Sequence, residues 1–255
     1  MTASIALQPD TQTQYLLRLA DSCLIWSHRL SEWCGHAPVL EEDIALANHA
    51  LDLLGQARAL LTHAGRAHGF DEDQLAYLRD ERDFVNVTMA ELPRGDFAFT
   101  VLRNFMLSSW ALLMWLHLAS SSDAELAAIA GKAAKEARYH REHAADWVVR
   151  LGDGTAESSR RAQAALDRLW PYSNELFDND AVDHAALDSS LGPAWSQLRE
   201  AWLADVEAVL AVATLTLPPK SSYRSEAKRG VHSEHMGHLL AEMQTLQRSF
   251  PGGVW

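Results

Sequence analysis

The sequence predicts an all-α fold, on three grounds. Ala and Leu dominate the 255 residues, of which 48% are hydrophobic and 22% charged, a composition that favours helices around a full apolar core. Apolar residues recur at spacings of three and four, and no stretch alternates apolar and polar residues for more than a few positions. The eight prolines stand between these periodic segments or near the chain ends, where they mark element boundaries. We expect a single helical domain over residues 13–255, preceded by a flexible N-terminal extension at residues 1–12.

The first two helices are defined by apolar stripes on either side of a short turn. The first is predicted from about Thr13 to Trp33 and ends at Gly35, a residue typical of helix C-termini. The second starts near Leu40 and has a similar length. The residues expected to face the core repeat at alternating spacings of three and four. They are Leu16, Leu19, Cys23, Trp26, Leu30 and Trp33 in the first helix, and Leu40, Ile44, Ala47, Leu51, Leu54 and Leu61 in the second.

A long charged crossover, Phe70–Asp96, separates the second helix from a third, which is predicted over Phe97–Ala119. Asp123 is expected to cap a fourth helix that ends at Gly152. The core-facing residues of this pair are Val101, Phe105, Leu112 and Leu116, then Leu126, Ile129, Ala133 and Trp147. Further helices are expected at Glu157–Leu176, Trp195–Thr216 and Ser233–Arg248. Four long helices with one long connection between the second and third describe a ferritin-like four-helix bundle, with the additional C-terminal helices packed around it.

The charge pattern argues against nucleic acid and membrane partners. Lys and Arg number 22 against 34 Asp and Glu, a formal net charge of −12, which is the wrong sign for binding polyanions or anionic lipid. The uncharged stretch Asn104–Ser122 is interrupted by polar residues, so a buried helix is expected rather than a membrane span. No apolar leader precedes Arg18, and Cys23 and Cys34 lie about 16 Å apart along one predicted helix, too far for a disulfide. We therefore expect a cytoplasmic protein with two reduced thiols.

A bundle of this topology often holds a carboxylate-bridged di-iron centre, with one Glu on each of two helices and Glu-x-x-His on each of the other two. On the fourth helix, Glu136, His140 and His143 continue the core-facing stripe and should point into the bundle. Tyr139, however, stands where the motif requires His. The corresponding window of the second helix begins at Asp52, and it contains no imidazole.

The third helix argues most strongly against such a centre, because residues 97–122 contain neither Asp nor Glu. A multivalent cation would be undercoordinated in the low-dielectric core. We therefore expect no metal in this chain. The three side chains on the fourth helix are interpreted as a degenerate inner polar cluster, hydrogen-bonded or ion-paired, with Arg58 or Arg103 as candidate partners. The alternative is a self-sufficient di-iron or zinc oxidoreductase that uses the same three residues.

A second polar cluster, His232-Ser-Glu-His235-Met-Gly-His238, starts the last predicted helix. His235 and His238, or Glu234 and His238, could share a face and bind Zn²⁺. The buried face of this helix, however, is expected to comprise Met236, Leu240, Met243, Leu246 and Phe250. The polar cluster then lies at the flank of the helix, and a polar network at the helix start is the favoured interpretation.

The crossover contains the mixed-charge run Arg79-Asp-Glu-Arg-Asp-Phe-Val-Asn86. A solvated loop with local salt bridges is the favoured interpretation. The alternative is a docking loop, in which Arg79 or Arg82 meets an anionic group while Phe84 or Asn86 contacts a ligand.

The nine tryptophans are many for a chain of this length. Several of them recur on helices that already have an inner stripe, including Trp110, Trp115, Trp195 and Trp202. Core filling explains about half of the tryptophans, and a subunit interface explains the rest better.

Five blocks of sequence, taken in order, are specific to a known family. They are Glu32-Trp-Cys-Gly-His-Ala-Pro38; Leu46-Ala-Asn48 leading into Leu51-Asp-Leu-Leu-Gly-Gln-Ala-Arg58; Arg79-Asp-Glu-Arg82; Lys135-Glu-Ala-Arg-Tyr-His140; and His232-Ser-Glu-His235 with Leu240-Ala-Glu-Met-Gln244. From about residue 13 onward, the chain resembles the PaaC family, the C subunits of the bacterial phenylacetyl-CoA epoxidase (the ring 1,2-epoxidase, or phenylacetate monooxygenase, complex).

The resemblance implies a ferritin-like, non-catalytic structural subunit of a multicomponent enzyme. Its partner would be a homologous catalytic A subunit that holds the di-iron centre, together with a small B subunit and a transiently bound reductase that carries flavin and an iron–sulfur cluster. The complex would use O₂ to epoxidise the aromatic ring of phenylacetyl-CoA in phenylacetate degradation. No cofactor is expected in this chain itself. The acyl-CoA would lie close to two stretches of this chain near the subunit interface, namely Asp83, Phe84, Val85 and Asn86, and His184, Ala185 and Ala186.

Overall fold

The computed structural model describes residues 4–253, and within them the regular structure is helical apart from one isolated β-bridge between Glu226 and Val231. The α-helices are α1 (Thr11–Ser31), α2 (Leu40–Arg66), α3 (Glu72–Tyr77), α4 (Thr88–Glu91), α5 (Phe97–Leu118), α6 (Ala124–Gly152), α7 (Ala156–Leu169), α8 (Ala181–Asp188), α9 (Arg199–Val212) and α10 (Glu234–Ser249). Short 3-10 helices lie at Glu81–Asp83, Trp170–Phe177, Trp195–Leu198 and Ala227–Arg229. The all-α prediction is confirmed.

Four long helices, α1, α2, α5 and α6, form the predicted ferritin-like bundle. The pairs α1 with α2 and α5 with α6 make the most extensive helix contacts, and α7 and α9 pack against α5 and α6. The stripe predicted for the first helix is entirely buried, from Leu16 at 2% exposure to Trp33 at 6%. Aspartates cap three of the four bundle helices, Asp10 for α1, Asp96 for α5 and Asp123 for α6. Each carboxylate accepts from a backbone N–H of the first turn, as predicted for Asp123.

The second helix begins at Leu40, as predicted, and is longer than the first, with 27 residues against 21. Its orientation is the opposite of the one expected, so its predicted core stripe is wrong. Four of the residues expected inside are exposed: Leu40 at 72%, Ile44 at 54%, Leu51 at 64% and Leu54 at 42%. Ala47 is half-buried, and only Leu61 is buried. The inner face consists instead of Leu46, His49, Leu53, Gln56 and Leu60. The helix is apolar on two sides, and on the side that turns inward Gln56 hydrogen-bonds to Glu136 of α6 while the ring of His49 packs against His140 and His143.

Two of the four residues predicted for the inner face of α6, Leu126 and Ala133, are buried, and most of the rest of that face consists of alanines. Ala130, Ala133, Ala137 and Ala144 are buried, whereas Ile129 and Trp147 are only half-buried. On the facing helix Leu112 is half-buried and Leu116 is 47% exposed. Small side chains let α5 approach α6 closely, which accounts for the extensive contact between the two helices.

The tryptophans singled out as interface candidates belong to the core, so that interpretation is wrong for them. Trp110, Trp115, Trp195 and Trp202 are at most 4% exposed. Trp110 packs on Trp195 with ring centroids 4.9 Å apart, and Trp202 Nε1 donates to the Met106 carbonyl at 2.9 Å. These contacts join α5 to the C-terminal elements, and a stripe on a single helix cannot reveal them.

The C-terminal half contains more breaks than the sequence predicts. The helix expected over Glu157–Leu176 stops at Leu169, because Pro171 follows, and continues as a 3-10 helix. The helix expected over Trp195–Thr216 likewise begins as a 3-10 turn, and the sequence does not predict α8. On α10, Met236 and Leu240 are buried and Met243 is half-buried as expected, but Leu246 and Phe250 are 49% and 58% exposed.

Within the part of the chain that the structure describes, one helix, Phe97–Leu118, is long and apolar enough to cross a membrane, but 83% of its most apolar window is buried inside the protein. It is the core helix that the sequence predicts. Cys23 is buried, and Cys34 is exposed in the turn after α1, so the two thiols do not share a helix; both are free. Residues 1–3 of the expected extension lie outside the described residues. The backbone N–H of Ile5 donates to the Leu78 carbonyl at 2.9 Å.

Candidate functional site

A cluster of polar side chains fills the seam between the antiparallel helices α2 and α6. We call it the α2–α6 polar cluster. It comprises Glu42, His49, Asp52 and Gln56 from α2, and Glu136, His140 and His143 from α6. His140 is buried, whereas Glu136 and His143 are half-buried, because α6 turns its alanines to the centre of the bundle.

The cluster is built from pairs that cross the seam. Asp52 Oδ2 lies 2.9 Å from His140 Nε2, and Glu42 Oε2 lies 3.0 Å from His143 Nε2. Gln56 Nε2 donates to Glu136 Oε2 at 2.9 Å. Each α6 side chain thus takes one α2 partner.

The predicted partners Arg58 and Arg103 are wrong. Arg58 is exposed and pairs with Glu72. Arg103 is completely buried and donates to the Leu92 carbonyl at 2.6 Å. Instead, Lys132, one turn before Glu136 on α6, forms an ion pair with Glu136 at 3.3 Å.

His49 lies at the centre of the cluster with its ring against two other imidazoles. Its ring centroid is 4.2 Å from that of His140 and 4.8 Å from that of His143. Within the described residues, His49 Nε2 has no hydrogen-bond partner. Burial, together with the two neighbouring imidazoles, lowers the pKa of His49 to about 2. Burial also lowers the pKa of His140, against the opposing hydrogen bond and charge of Asp52. Both rings are therefore neutral at neutral pH.

This donor set does not fit a di-iron centre. Such a centre needs carboxylates from several helices converging on two metals, but here the carboxylates pair one to one with side chains across the seam. The α5 helix contributes none, because it contains no Asp or Glu. Among residues 4–253, no group of three or more His, Cys, Asp or Glu side chains is arranged to hold a metal ion.

The mixed-charge run is divided: Asp80, Glu81, Arg82 and Asp83 are exposed, as predicted for a solvated loop, whereas Arg79 and residues 84–86 are buried, so the prediction is wrong for these. Arg79 pairs with Asp21 of α1, and neither side chain is exposed. The Arg79 guanidinium lies 4.2 Å from the ring centroid of Phe84, and Asp21 also accepts from the backbone N–H of Val85 at 3.0 Å. Arg79 is therefore committed to the fold and cannot meet an external anion. Arg82 is exposed.

Glu91 joins the crossover to the start of α10. Its carboxylate accepts from Asn86 Nδ2 at 3.0 Å and from the backbone N–H of Ser233 at 2.6 Å. His232 places Nδ1 2.7 Å from Glu91 and Nε2 2.9 Å from the Phe84 carbonyl. Although burial acts to lower it, the hydrogen bond and charge of Glu91 raise the pKa of His232. The favoured polar network at the helix start is thus present.

A cavity of about 360 Å³ opens beside the crossover, next to the N-terminal segment and α1. Its polar lining consists mainly of charged side chains, namely Arg18, Arg82, Lys228 and Arg229 with Asp10 and Asp83. Arg18 and Lys228 are almost completely buried, and each lies within 3.3 Å of Asp183. Burial lowers the pKa of Lys228 to about 8.

Comparisons with known proteins place the chain in a family. The family model described as phenylacetic acid catabolic protein matches residues 2–255. The chain belongs to the phenylacetic acid catabolic protein family. Among curated proteins, the C subunit of the 1,2-phenylacetyl-CoA epoxidase of Escherichia coli (strain K12) is 48% identical over 244 residues, which are 95% of this chain and 98% of that protein. The family resemblance predicted from the sequence blocks is confirmed.

In this phenylacetic acid catabolic protein, the seven residues expected near the acyl-CoA differ widely in exposure. Asp83 and Val85 are among the residues that line the cavity. The others do not line it. Phe84 and Asn86 are completely buried, Ala186 is buried, Ala185 is half-buried and His184 is exposed on α8. On α8 the cavity is lined by Val182 and not by the predicted stretch His184, Ala185 and Ala186.

Sequence reasoning missed Glu42, His49 and Glu91, the residues that complete these networks. His49 and Gln56 are seven residues apart on α2, so they lie on the same face of the helix. This spacing indicates a polar stripe that faces a neighbouring helix. That signal is readable only once the orientation of α2 is known. Glu91 carried no signal of its own, because its partner His232 lies in a distant part of the sequence.

Proposed function

We propose that the chain is the non-catalytic structural subunit of a 1,2-phenylacetyl-CoA epoxidase, acting in aerobic phenylacetate degradation in the cytoplasm. It binds and stabilises a homologous catalytic A subunit, which supplies the di-iron centre. The small B subunit and, transiently, a reductase with flavin and an iron–sulfur cluster complete the system. Nucleic acid and membranes are not partners.

One observation carries this proposal. In a bundle of the right topology, two hydrogen bonds cross the seam of α2 and α6, between Asp52 and His140 and between Gln56 and Glu136, His143 lies 3.0 Å from Glu42, and α5 offers no carboxylate. Glu136, His140 and His143 thus act within the fold. The strong identity to the C subunit of the Escherichia coli epoxidase supports the same role.

The buried polar networks suit a scaffold. Arg79 with Asp21, and Glu91 with His232, tie the crossover to α1 and to α10. Breaking such a pair would leave an uncompensated buried charge, which is costly in free energy. Conformations in which these pairs are broken are therefore rarely populated, and the crossover is held rigidly. A rigid neighbour can hold a catalytic subunit at its working geometry without contributing to the chemistry.

The cavity beside the crossover is the proposed point of contact with phenylacetyl-CoA. Coenzyme A carries several phosphate charges, and guanidinium groups recognise phosphate through paired hydrogen bonds. Arg82 is exposed at this cavity, and Asp83 and Val85 line it beside Arg229. The other five predicted residues, Phe84, Asn86, His184, Ala185 and Ala186, would support the cavity wall and its rim.

The test is to prepare the chain alone and together with its catalytic subunit, and to measure iron content and epoxide formation in both. The proposal expects iron and turnover only in the preparation that contains the catalytic subunit. Iron with turnover in the chain alone would favour the self-sufficient oxidoreductase instead.

A further inference from the structure

A second, basic cavity lies between the N-terminus of α5 and one face of α7. We call it the α5–α7 cavity. It has a volume of about 330 Å³ and shares no lining residue with the cavity beside the crossover. This volume is at the lower end of the range for small-molecule sites. The lining residues are Asp96 and Phe99 at the start of α5, and Arg160, Arg161, Ala164, Ala165 and Arg168 of α7.

The spacing of residues along α7 explains why a hollow forms here. Arg161, Ala164, Ala165 and Arg168 follow the three- and four-residue spacing of one helix face. The two arginines therefore stand at the ends of this face, and the two short alanine side chains leave space between them. Both arginines are exposed, whereas Ala165 is buried at the base of the hollow. Asp167, the nearest acid on α7, does not line the cavity.

Positive charge is in excess around the α5–α7 cavity. Arg160 and Arg161 share one carboxylate, that of Glu157, at 2.8 Å and 2.6 Å. Arg161 approaches Asp96 only to 3.8 Å. Among residues 4–253, Arg168 has no carboxylate within ion-pair distance. Three guanidinium groups thus face two carboxylates, in a chain whose net charge is −12.

A buried guanidinium adds to the positive potential of the same cavity wall. The ring centroid of Phe99 lies 5.0 Å from the guanidinium of Arg168 and 5.9 Å from that of Arg103. Arg103 is completely buried and donates to the Leu92 carbonyl, and in the described part of the chain its Nε and Nη2 have no hydrogen-bond partner. Burial and the nearby Arg29 lower the pKa of Arg103 to about 9, so it keeps its charge at neutral pH. The N-terminus of α5 contributes the positive end of its helix dipole at this wall.

We propose that the α5–α7 cavity binds the phosphate group of a small molecule. Arg161 and Arg168 would hold the phosphate oxygens from the two ends of the hollow, with Arg160 beside them. Guanidinium groups match phosphate oxygens through paired hydrogen bonds, and a helix N-terminus favours an anion. The bound anion would replace the long contact between Arg161 and Asp96. This inference goes beyond the proposed function and does not depend on it.

The arrangement favours phosphate over a carboxylate. The Cα atoms of Arg161 and Arg168 are about 10 Å apart along the helix, so their guanidinium groups can reach a bound group from opposite sides. A carboxylate presents two oxygens in one plane, which a single guanidinium satisfies. A phosphate group presents three strong acceptor oxygens in different directions, and these can engage two separated guanidinium groups at once.

The test measures the binding of inorganic phosphate and of glycerol 3-phosphate to the full-length chain by calorimetry, against potassium chloride at the same ionic strength. Arg168→Gln should weaken the binding of both about tenfold, because charge-assisted hydrogen bonds are lost. Its melting temperature should equal that of the wild type, since Arg168 is exposed. Arg199→Gln is the matched control: Arg199 is exposed on α9 and lies 5.9 Å from the ring centroid of Phe177, outside this cavity. It should leave binding unchanged.

Asp96→Asn tests the sign of the charge in the same cavity. Asparagine caps a helix about as well as aspartate does, so α5 keeps its N-cap. The negative charge that competes with the ligand for Arg161 is removed, and phosphate binding should tighten about threefold. Unchanged or weaker binding would contradict a site in which the ligand takes the place of that carboxylate.

The remaining outcomes decide the inference as follows. A wild-type chain that binds phosphate no better than chloride would overturn it, and so would equal binding by the wild type and Arg168→Gln. Loss of binding in Arg82→Gln, with Arg168→Gln unaffected, would place the phosphate in the cavity beside the crossover and overturn the assignment. Tighter binding of glycerol 3-phosphate than of inorganic phosphate would support the inference with an organic phosphate as the ligand, and the reverse order would support it with free phosphate.

Discussion

Acid should destabilise the α2–α6 polar cluster through His49. Its imidazole is about 1% exposed, and burial between two other imidazoles lowers its pKa to about 2. In the unfolded chain the imidazole of His49 takes up a proton with a pKa near 6.5, whereas in the folded chain it stays neutral until the pH is far lower. The contribution of His49 to stability is therefore present above pH 6.5 and is lost as the pH falls. Between pH 7 and pH 5 the loss from this one group is about 2 kcal/mol.

The assay is urea unfolding of the wild type and of His49→Gln at several pH values between 5 and 8. Subtracting the two curves cancels the contribution of every other titrating group that the substitution leaves alone. The difference in unfolding free energy should shrink by about 2 kcal/mol from pH 7 to pH 5. A difference that does not change with pH would refute the account of a neutral, buried His49.

Three further predictions concern the crossover and its cavity. Arg79→Met should cost about 3–5 kcal/mol in urea unfolding because it leaves Asp21 buried without a counter-charge, and adding Asp21→Asn should recover part of that loss. His232 should show the opposite pH dependence to His49: its raised pKa gives stability below pH 6.5 that is lost as the pH rises through the folded value. The stability advantage of the wild type over His232→Asn should therefore shrink between pH 6 and pH 9, and an advantage that grows would contradict the hydrogen bond to Glu91. Arg82→Ala should weaken phenylacetyl-CoA binding to the assembled complex about tenfold in calorimetry, with unchanged urea unfolding; equal affinity would remove Arg82 from the ligand site.

The extent of the long helices could be predicted from local signals. Asp123 caps α6, Gly35 follows α1, and Pro171 ends the continuous part of α7. These are properties of a few neighbouring residues, so a single sequence contains them. The bundle topology followed from helix lengths and from the one long connection.

The orientation of α2 could not be predicted, because the helix is apolar on two sides. Periodicity identified the row from Leu40 to Leu54, and that row is real, but it faces outward. The competing face contains His49 and Gln56, and it lies inside, where α6 packs His140 against His49 and pairs Glu136 with Gln56. Burial of a polar residue depends on a partner far away in the sequence.

The crossover illustrates the same limit for charged residues. A run with Arg79 and Arg82 has the composition of a solvated loop. Asp21, which neutralises Arg79, belongs to a helix whose other residues are mainly apolar. The family resemblance points to the same stretch, and two of its residues, Asp83 and Val85, line the adjacent cavity.

The central claim is that this chain contributes structure rather than chemistry to the epoxidase. It is tested most directly by measuring epoxide formation per assembled complex that contains the Glu136→Gln, His140→Ala chain. The account predicts a lower melting temperature for this chain, because a buried polar network is broken, with iron content and turnover per complex equal to those of the wild type. Loss of turnover with assembly, iron content and stability unchanged would place chemistry in this chain and contradict the account.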